Sequence, residues 1–272
     1  MMGRTSDDTD ADAPPVAVNM STFYYIGKYE VTKALWDEVR TWGLLNGYTD
    51  LYEGSGKAPN HPVQGTNWYD AVKWCNARSQ KEGLTPCYMV SGVVMKTGTT
   101  TPIVNWNANG YRLPTEAEWE KAARGGLSGK RFPWGTDTIS FNEANYYAGF
   151  RNYQSYNLSF GNTYHPTYSS GSAPYTSPVG AFVANSFGLH DMAGNAAEWC
   201  WDWYGYETYS NGTTNPTGAA SGSMRVLRGG SWGEGGTGDS MAYECRASDR
   251  DRAEPNGRHY NRGFRVARSL SP

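Results

Sequence analysis

The sequence predicts an α+β fold of few, short strands and helices joined by long irregular loops, and three observations predict it. The chain has 272 residues with 11 Trp, 20 Tyr and 33 Gly but only 18% charged residues. Such a composition describes a turn-rich path around a core of large rings. Helix-start residues recur at Thr32, Asn67 and Thr115, each followed by a glycine stop, whereas the strand-like runs are brief and residues 132–188 show almost no apolar periodicity.

Residues 1–20 begin with Asp7-Asp8-Thr9-Asp10-Ala11-Asp12 and carry prolines, so a disordered tail is expected there. The first strand is expected within Thr22 to Val31. Thr32 caps a helix in which Leu35, Trp36 and Val39 recur at helical spacing before Gly43. Asn67 caps the next, with Asp70 at its positive end, Val72, Trp74 and Cys75 facing inward and Gly83 terminating it. Val93-Val94-Met95 and Ile103-Val104 read as strand pairs of a hairpin region. Thr115 and Glu118 form a capping box; Glu116, Glu118 and Glu120 start that helix, Lys121 and Arg124 end it and Gly125-Gly126 stop it, an order that suits the macrodipole. Gly194 to Tyr204 packs four large rings into six residues, as a short buried strand would. Arg225–Arg228 and Phe264–Ala267 are the last strand-like segments.

Between these last two lies the most informative stretch. From Gly233 to Asn261 there are 29 residues without Val, Ile, Leu, Phe or Trp. Gly, Asp, Ser, Tyr, Asn, His and Arg fill it, a vocabulary shared with antibody binding loops. Binding is therefore expected, against the plain alternative of a solvated loop with no ligand.

The net charge of -2 and pI near 6.1 argue against a nucleic-acid partner, for which a basic stripe is expected. No run of 18 apolar residues exists, so no membrane-spanning helix is expected. The size admits one large or two ordinary domains, and nothing reads as a linker. Cys75, Cys87, Cys200 and Cys245 show no zinc-knuckle spacing; two disulfides and four buried thiols both remain open.

Four ordered segments carry a family resemblance: Tyr111-Arg112-Leu113-Pro114-Thr115-Glu116-Ala117-Glu118-Trp119-Glu120, Gly194-Asn195-Ala196-Ala197-Glu198-Trp199, Arg228-Gly229-Gly230-Ser231-Trp232 and Arg262-Gly263-Phe264-Arg265. Together they resemble the formylglycine-generating-enzyme (sulfatase-modifying factor) domain. The resemblance implies a single domain over residues 21–272 with a C-type lectin-like core. The enzymes use two cysteines just after the Gly-Gly-Ser-aromatic motif to bind copper. Here Gly233 to Ser240 contains no Cys and Cys245 stands alone, so no catalytic cofactor is expected. The end of the chain is more similar to the variable proteins of diversity-generating retroelements. That likeness implies a non-enzymatic, receptor-like protein on the bacterial cell surface, lipid-anchored outside the given chain, whose region of about 229–268 is diversified to bind an unknown protein or surface ligand. The alternative is a copper oxidase acting on Cys of sulfatase-like substrates, and a third reading is a structural surface domain without a ligand pocket.

The retroelement resemblance further implies which positions vary. Randomised adenines of Asn codons reach Gly235, Gly236, Gly238, Asp239, Ser240, Tyr243, Asp249, Asp251, Gly257, His259, Tyr260 and Asn261 but never Glu234, Met241, Glu244 or Glu254. Trp232 is expected as a fixed floor. By the enzyme resemblance Asp191, Gly194, Ala196 and Glu198 would hold a structural calcium, against the reading in which Glu198 accepts bonds within its own loop. For the terminal arginines, ion pairs with Asp249, Asp251 and Glu254 are expected over an anionic ligand.

Overall fold

The computed structural model describes residues 1–5, 14–150, 154–159, 161, 163–205, 209–233 and 240–270. Strand β1 (Tyr24–Ile26) leads to α1 (Lys33–Leu45) and α2 (Trp68–Lys81). Short strands β2 (Tyr88–Val90), β3 (Val93–Val94), β4 (Ile103–Val104) and β5 (Tyr111–Arg112) precede α3 (Glu116–Arg124). Strands β6 (Ala197–Trp203), β7 (Arg225–Arg228), β8 (Asp251–Ala253), β9 (Arg262–Gly263) and β10 (Ala267–Ser269) complete the order.

The helices start and stop where local chemistry dictates. Asn67 and Asp70 exchange reciprocal cap bonds, as do Thr115 and Glu118, and Thr32 accepts from the Leu35 amide. Gly125 ends α3 in the left-handed region, where a side chain would be strained. The strands differ more from expectation. β3 and β4 do not pair with each other; both flank β2. The expected strand at Phe264–Ala267 is split, because Gly263 joins β9 parallel to β6 while Ala267 begins β10 between β1 and β5. β8 inside the polar run pairs antiparallel with β7.

Rings fill the core. Trp36 and Trp74 stack at 5.7 Å across α1 and α2, and Phe264 meets both edge-on at 5.9 and 5.5 Å, a favoured arrangement for aromatic quadrupoles. A second cluster gathers Phe132, Ile139, Tyr146, Met241 and Cys245, so the loop-rich segment after α3 has its own apolar centre. The N-terminal expectation needs correcting. Met2 and Val16 are paired by two backbone hydrogen bonds and pack with Ala117, and Asn19 bridges Thr214. Residues 1–5 and 14–20 are therefore docked, because apolar Met2 and Val16 cover the start of α3.

The four cysteines are buried and free. Cys200 lies with Trp119 and Val226, Cys245 with the second cluster, so of the two readings left open, buried thiols are the one found.

Buried charge is the fold's other structural material. Arg246 pairs with Asp249 as expected, but the other arginines reach further: Arg250 to Glu116, Arg258 to Asp70, Arg265 to Glu198 and Arg228 to Glu120. Beside Glu116 lies a second carboxylate, Asp202, which accepts from the Glu116 amide and from the Tyr209 hydroxyl, both at 2.7 Å. Burial, with the Glu116 charge adding to it, pushes the Asp202 carboxyl from 3.8 up to about 7. A carboxyl raised in the folded state binds its proton more tightly there than in the unfolded chain. Its contribution to stability is full below 3.8 and is lost as pH rises through about 7. Asp202→Asn keeps both contacts, with the amide donating to the Tyr209 oxygen while Tyr209 donates to Glu116. Urea unfolding at a series of pH values is expected to show a flatter decline for this variant than for the parent across that window, and equal declines would refute the assignment.

Candidate functional site

The site begins at the turn after β7. Gly229 and Gly230 have φ of +93° and +67°. A Cβ on Gly230 would lie 3.0 Å from the Cys245 amide and sulfur, so only glycine permits that close approach. The turn drops Trp232 inward, where it is 2% exposed and its amide bonds the Asn195 carbonyl. Around its indole stand Tyr175 and Tyr260, each at 5.4 Å, and Tyr164 at 6.0 Å. His259 continues the row against Tyr260 at 4.1 Å, and the Lys57 ammonium sits 5.7 Å from the Tyr175 centroid. The indole N–H of Trp232 is buried without an acceptor among the described residues.

The polar run is held mostly through its main chain. Met241 N donates to Tyr147 O and Ala247 N to Arg131 O. Arg228, fully buried, donates to the carbonyls of Ala247 at 2.7 Å, Ser248 at 2.9 Å and Asp249. Trp68 N donates to Pro255 O, Gly65 N to His259 O and Ala197 N to Asn261 O. β8 adds its ladder to β7. None of these bonds uses a side chain of the run itself, so exchanging an outward side chain leaves them intact.

The candidate residues fall into separate places. Trp232, His259, Tyr260 and Asn261 come together: Tyr260 is 47% exposed, His259 Nδ1 lies 2.5 Å from Asn261 Oδ1, and Asn261 Nδ2 donates to Ser231 Oγ. Gly257 is half-buried nearby, with the Glu254 carbonyl 3.1 Å and Arg262 3.3 Å from where a Cβ would stand, so a side chain fits there only if its neighbours give way. Tyr243, Asp249 and Asp251 form a second, half-buried group. There Tyr243 donates to Glu244, Asp249 accepts from Arg246, and Asp251 accepts from the Arg252 amide. Burial, then the charges of Asp251 and Asp249, push the Glu244 carboxyl well up. Ser240 corrects the expectation of an outward position. It is 0% exposed and its hydroxyl accepts from Asn157 Nδ2 and the Ala242 amide, because it opens the turn that buries Met241. Gly235, Gly236, Gly238 and Asp239 lie outside the described residues. Tyr164, Tyr175 and Lys57 were not among the candidates; they come from segments whose sequence has no period, and only the fold brings them to Trp232.

Of the residues expected to hold calcium, Glu198 already has a cationic partner. Both Glu198 oxygens accept from Arg265 at 2.7 Å, and one also from Trp119 Nε1. One Asp191 oxygen accepts from the Gly180 amide and the other is buried with no partner among the described residues. The Arg265 guanidinium thus supplies the positive charge that a cation would, and among the described residues no group of three or more His, Cys, Asp or Glu is arranged to hold a metal. Glu30, absent from the sequence-based set, holds the loop by accepting from Asn195 Nδ2 and the Ala196 amide. Its carboxyl is pushed well up by burial and by Asp191 and Glu198.

Comparison with known proteins accords with this architecture. Residues 1–270 match the Sulfatase-modifying factor enzyme 1-like domain. The chain is 34% identical to the chaperone protein LppX of Paenibacillus barcinonensis over 93% of its own length and 82% of the relative's. It is 32% identical to the formylglycine-generating enzyme of Mus musculus over 97% and 70%. At 36% identity it also matches serine/threonine-protein kinase pkn1 of Chlamydia caviae, spanning only 24% of that protein's length. Among solved structures, Treponema denticola variable protein 1 superposes with a TM-score of 0.72 at 31% identity, covering 99% of this chain and 94% of that one. The α+β architecture, the Gly-Gly-Ser-Trp turn and a match over nearly the whole length agree: the chain belongs to the sulfatase-modifying factor enzyme 1-like domain family.

Proposed function

We propose that this chain is a non-enzymatic binding protein that displays a changeable surface between Ser231 and Asn261 on a fixed frame, diversified by a retroelement and exposed at a bacterial cell surface through a lipid anchor outside the given chain. The observation that carries the reading is the clamping of that run through carbonyls and amides, above all by Arg228 and by the 65–68 segment. Similarity to the Treponema variable protein supports it. Catalysis of the formylglycine-generating type is disfavoured by chemistry. The thiol that follows the Gly-Gly-Ser-Trp turn, Cys245, is buried and its pKa is pushed well above the ordinary thiol range by that burial, whereas copper and oxygen chemistry calls for exposed thiolates.

Positions on the frame are expected to tolerate exchange, and Ser240 is not. Replacing His259 and Tyr260 by other small or polar residues, singly, is expected to change stability by about 0.5 kcal/mol or less. Ser240→Tyr is expected to cost about 1–3 kcal/mol by overpacking against Asn157. Thermal denaturation of the set checks this, and costs above about 1 kcal/mol at 259 and 260 would sink the display surface. Sequencing the gene from many cells tests diversification directly: invariance at 257, 259 and 260 overturns it. An aldehyde formed on a Cys-bearing peptide in the presence of copper and oxygen would favour the enzyme instead.

A further inference from the structure

We propose a second binding site, for one neutral pyranose ring, in a cavity built wholly from residues outside the changeable run. The cavity holds about 230 Å³, a volume that suits a single six-membered sugar. One wall is the half-buried indole of Trp106, braced edge-on against Trp201 at 6.1 Å, with the Arg112 guanidinium 5.2 Å from its centroid. Met20 and Pro216 supply the remaining apolar lining. The C–H face of a pyranose carries partial positive charge and lies favourably on such an electron-rich ring.

The floor decides the charge of the ligand. Arg112 and Glu118 are buried and joined by two bonds of 2.6 and 2.7 Å, and Ser269 accepts from the same guanidinium. Their charges cancel, so a charged ligand would lose its hydration with no counter-charge to replace it. The rim decides the ligand's polarity. Asn107, Thr22 and Thr217 line the mouth, and among the described residues their side-chain polar atoms have no partner. An amide and two hydroxyls offer donors and acceptors together, which is what the hydroxyl perimeter of a sugar requires. A neutral floor, an aromatic wall and a mixed donor-acceptor rim together favour a pyranose over an anion or a hydrocarbon.

Saturation-transfer NMR with neutral methyl hexopyranosides, glucuronate and benzyl alcohol tests the site. A methyl hexopyranoside is expected to bind at concentrations on the order of 1–10 mM, with saturation concentrated on one face of C–H protons. Asn107→Ala is expected to weaken it about three- to tenfold. Thr217→Trp, at an exposed rim position, is expected to fill the cavity and abolish binding, which keeps the test decisive if Trp106→Ala does not fold. His259→Ala is expected to leave sugar binding unchanged, so failure here is distinguishable from failure of the display surface. Absence of saturation, binding that survives Thr217→Trp, equal binding of glucuronate, or tighter binding of benzyl alcohol would each overturn the proposal.

Discussion

Replacement of Arg228 by methionine is expected to destabilise the protein by about 3–5 kcal/mol, the cost of taking one partner out of a buried ion-pair network. Arg228 is 1% exposed and its Nη2 reaches Glu120 at 2.5 Å, while Glu116 lies 3.7 Å from its Nη1. Arg124 and Arg250 would still face those two glutamates, but the carbonyls of Ala247, Ser248 and Asp249 would lose their donor. The loss is therefore expected in two measurements. Urea unfolding should report the lower stability, and hydrogen exchange should report faster exchange for the amides near 247–249. A change under about 1 kcal/mol would mean that β8 alone secures the run.

Arg265→Met is expected to cost a comparable amount, about 3–5 kcal/mol, with a distinct pH signature. Arg265 is buried against Glu198 and also donates to the carbonyls of Gly27 and His190. Removing it leaves Glu30, Asp191 and Glu198 together. Burial already holds the Asp191 carboxyl up at about 6 against an ordinary 3.8. Groups raised in this way contribute stability that is present at low pH and lost as pH rises through the folded value. The variant is therefore expected to lose more at pH 8 than at pH 5, by urea unfolding. Adding Glu198→Gln to Arg265→Met is expected to recover part of the loss, because it removes the orphaned charge; strict additivity of the two would refute the pairing.

How much of this is legible in the sequence follows from the range of each interaction. Thr115 with Glu118, Asn67 with Asp70 and the stop at Gly125 all act within one helical turn, so the residues that make them are adjacent in the chain and the helices follow from them. The inward packing of Trp232 is also readable, since a Trp at the end of a strand is more often core than surface. The arginines are readable only by halves. Their number implies pairing, but the partners of Arg228 and Arg250 lie 108 and 134 residues away, and no spacing rule reaches that far. Glu198 shows the hazard of reading a motif without its neighbours: the loop has the residues for a cation, and Arg265, 67 positions on, occupies the role. Ser240 fails for the opposite reason. Its codon class suggests exposure, whereas Asn157, a single residue of an aperiodic segment, buries it.

With Cys75, Cys87, Cys200 and Cys245 buried and unlinked, a thiol reductant is expected to leave the thermal midpoint unchanged, and a lowered midpoint would show that a cross-link had formed.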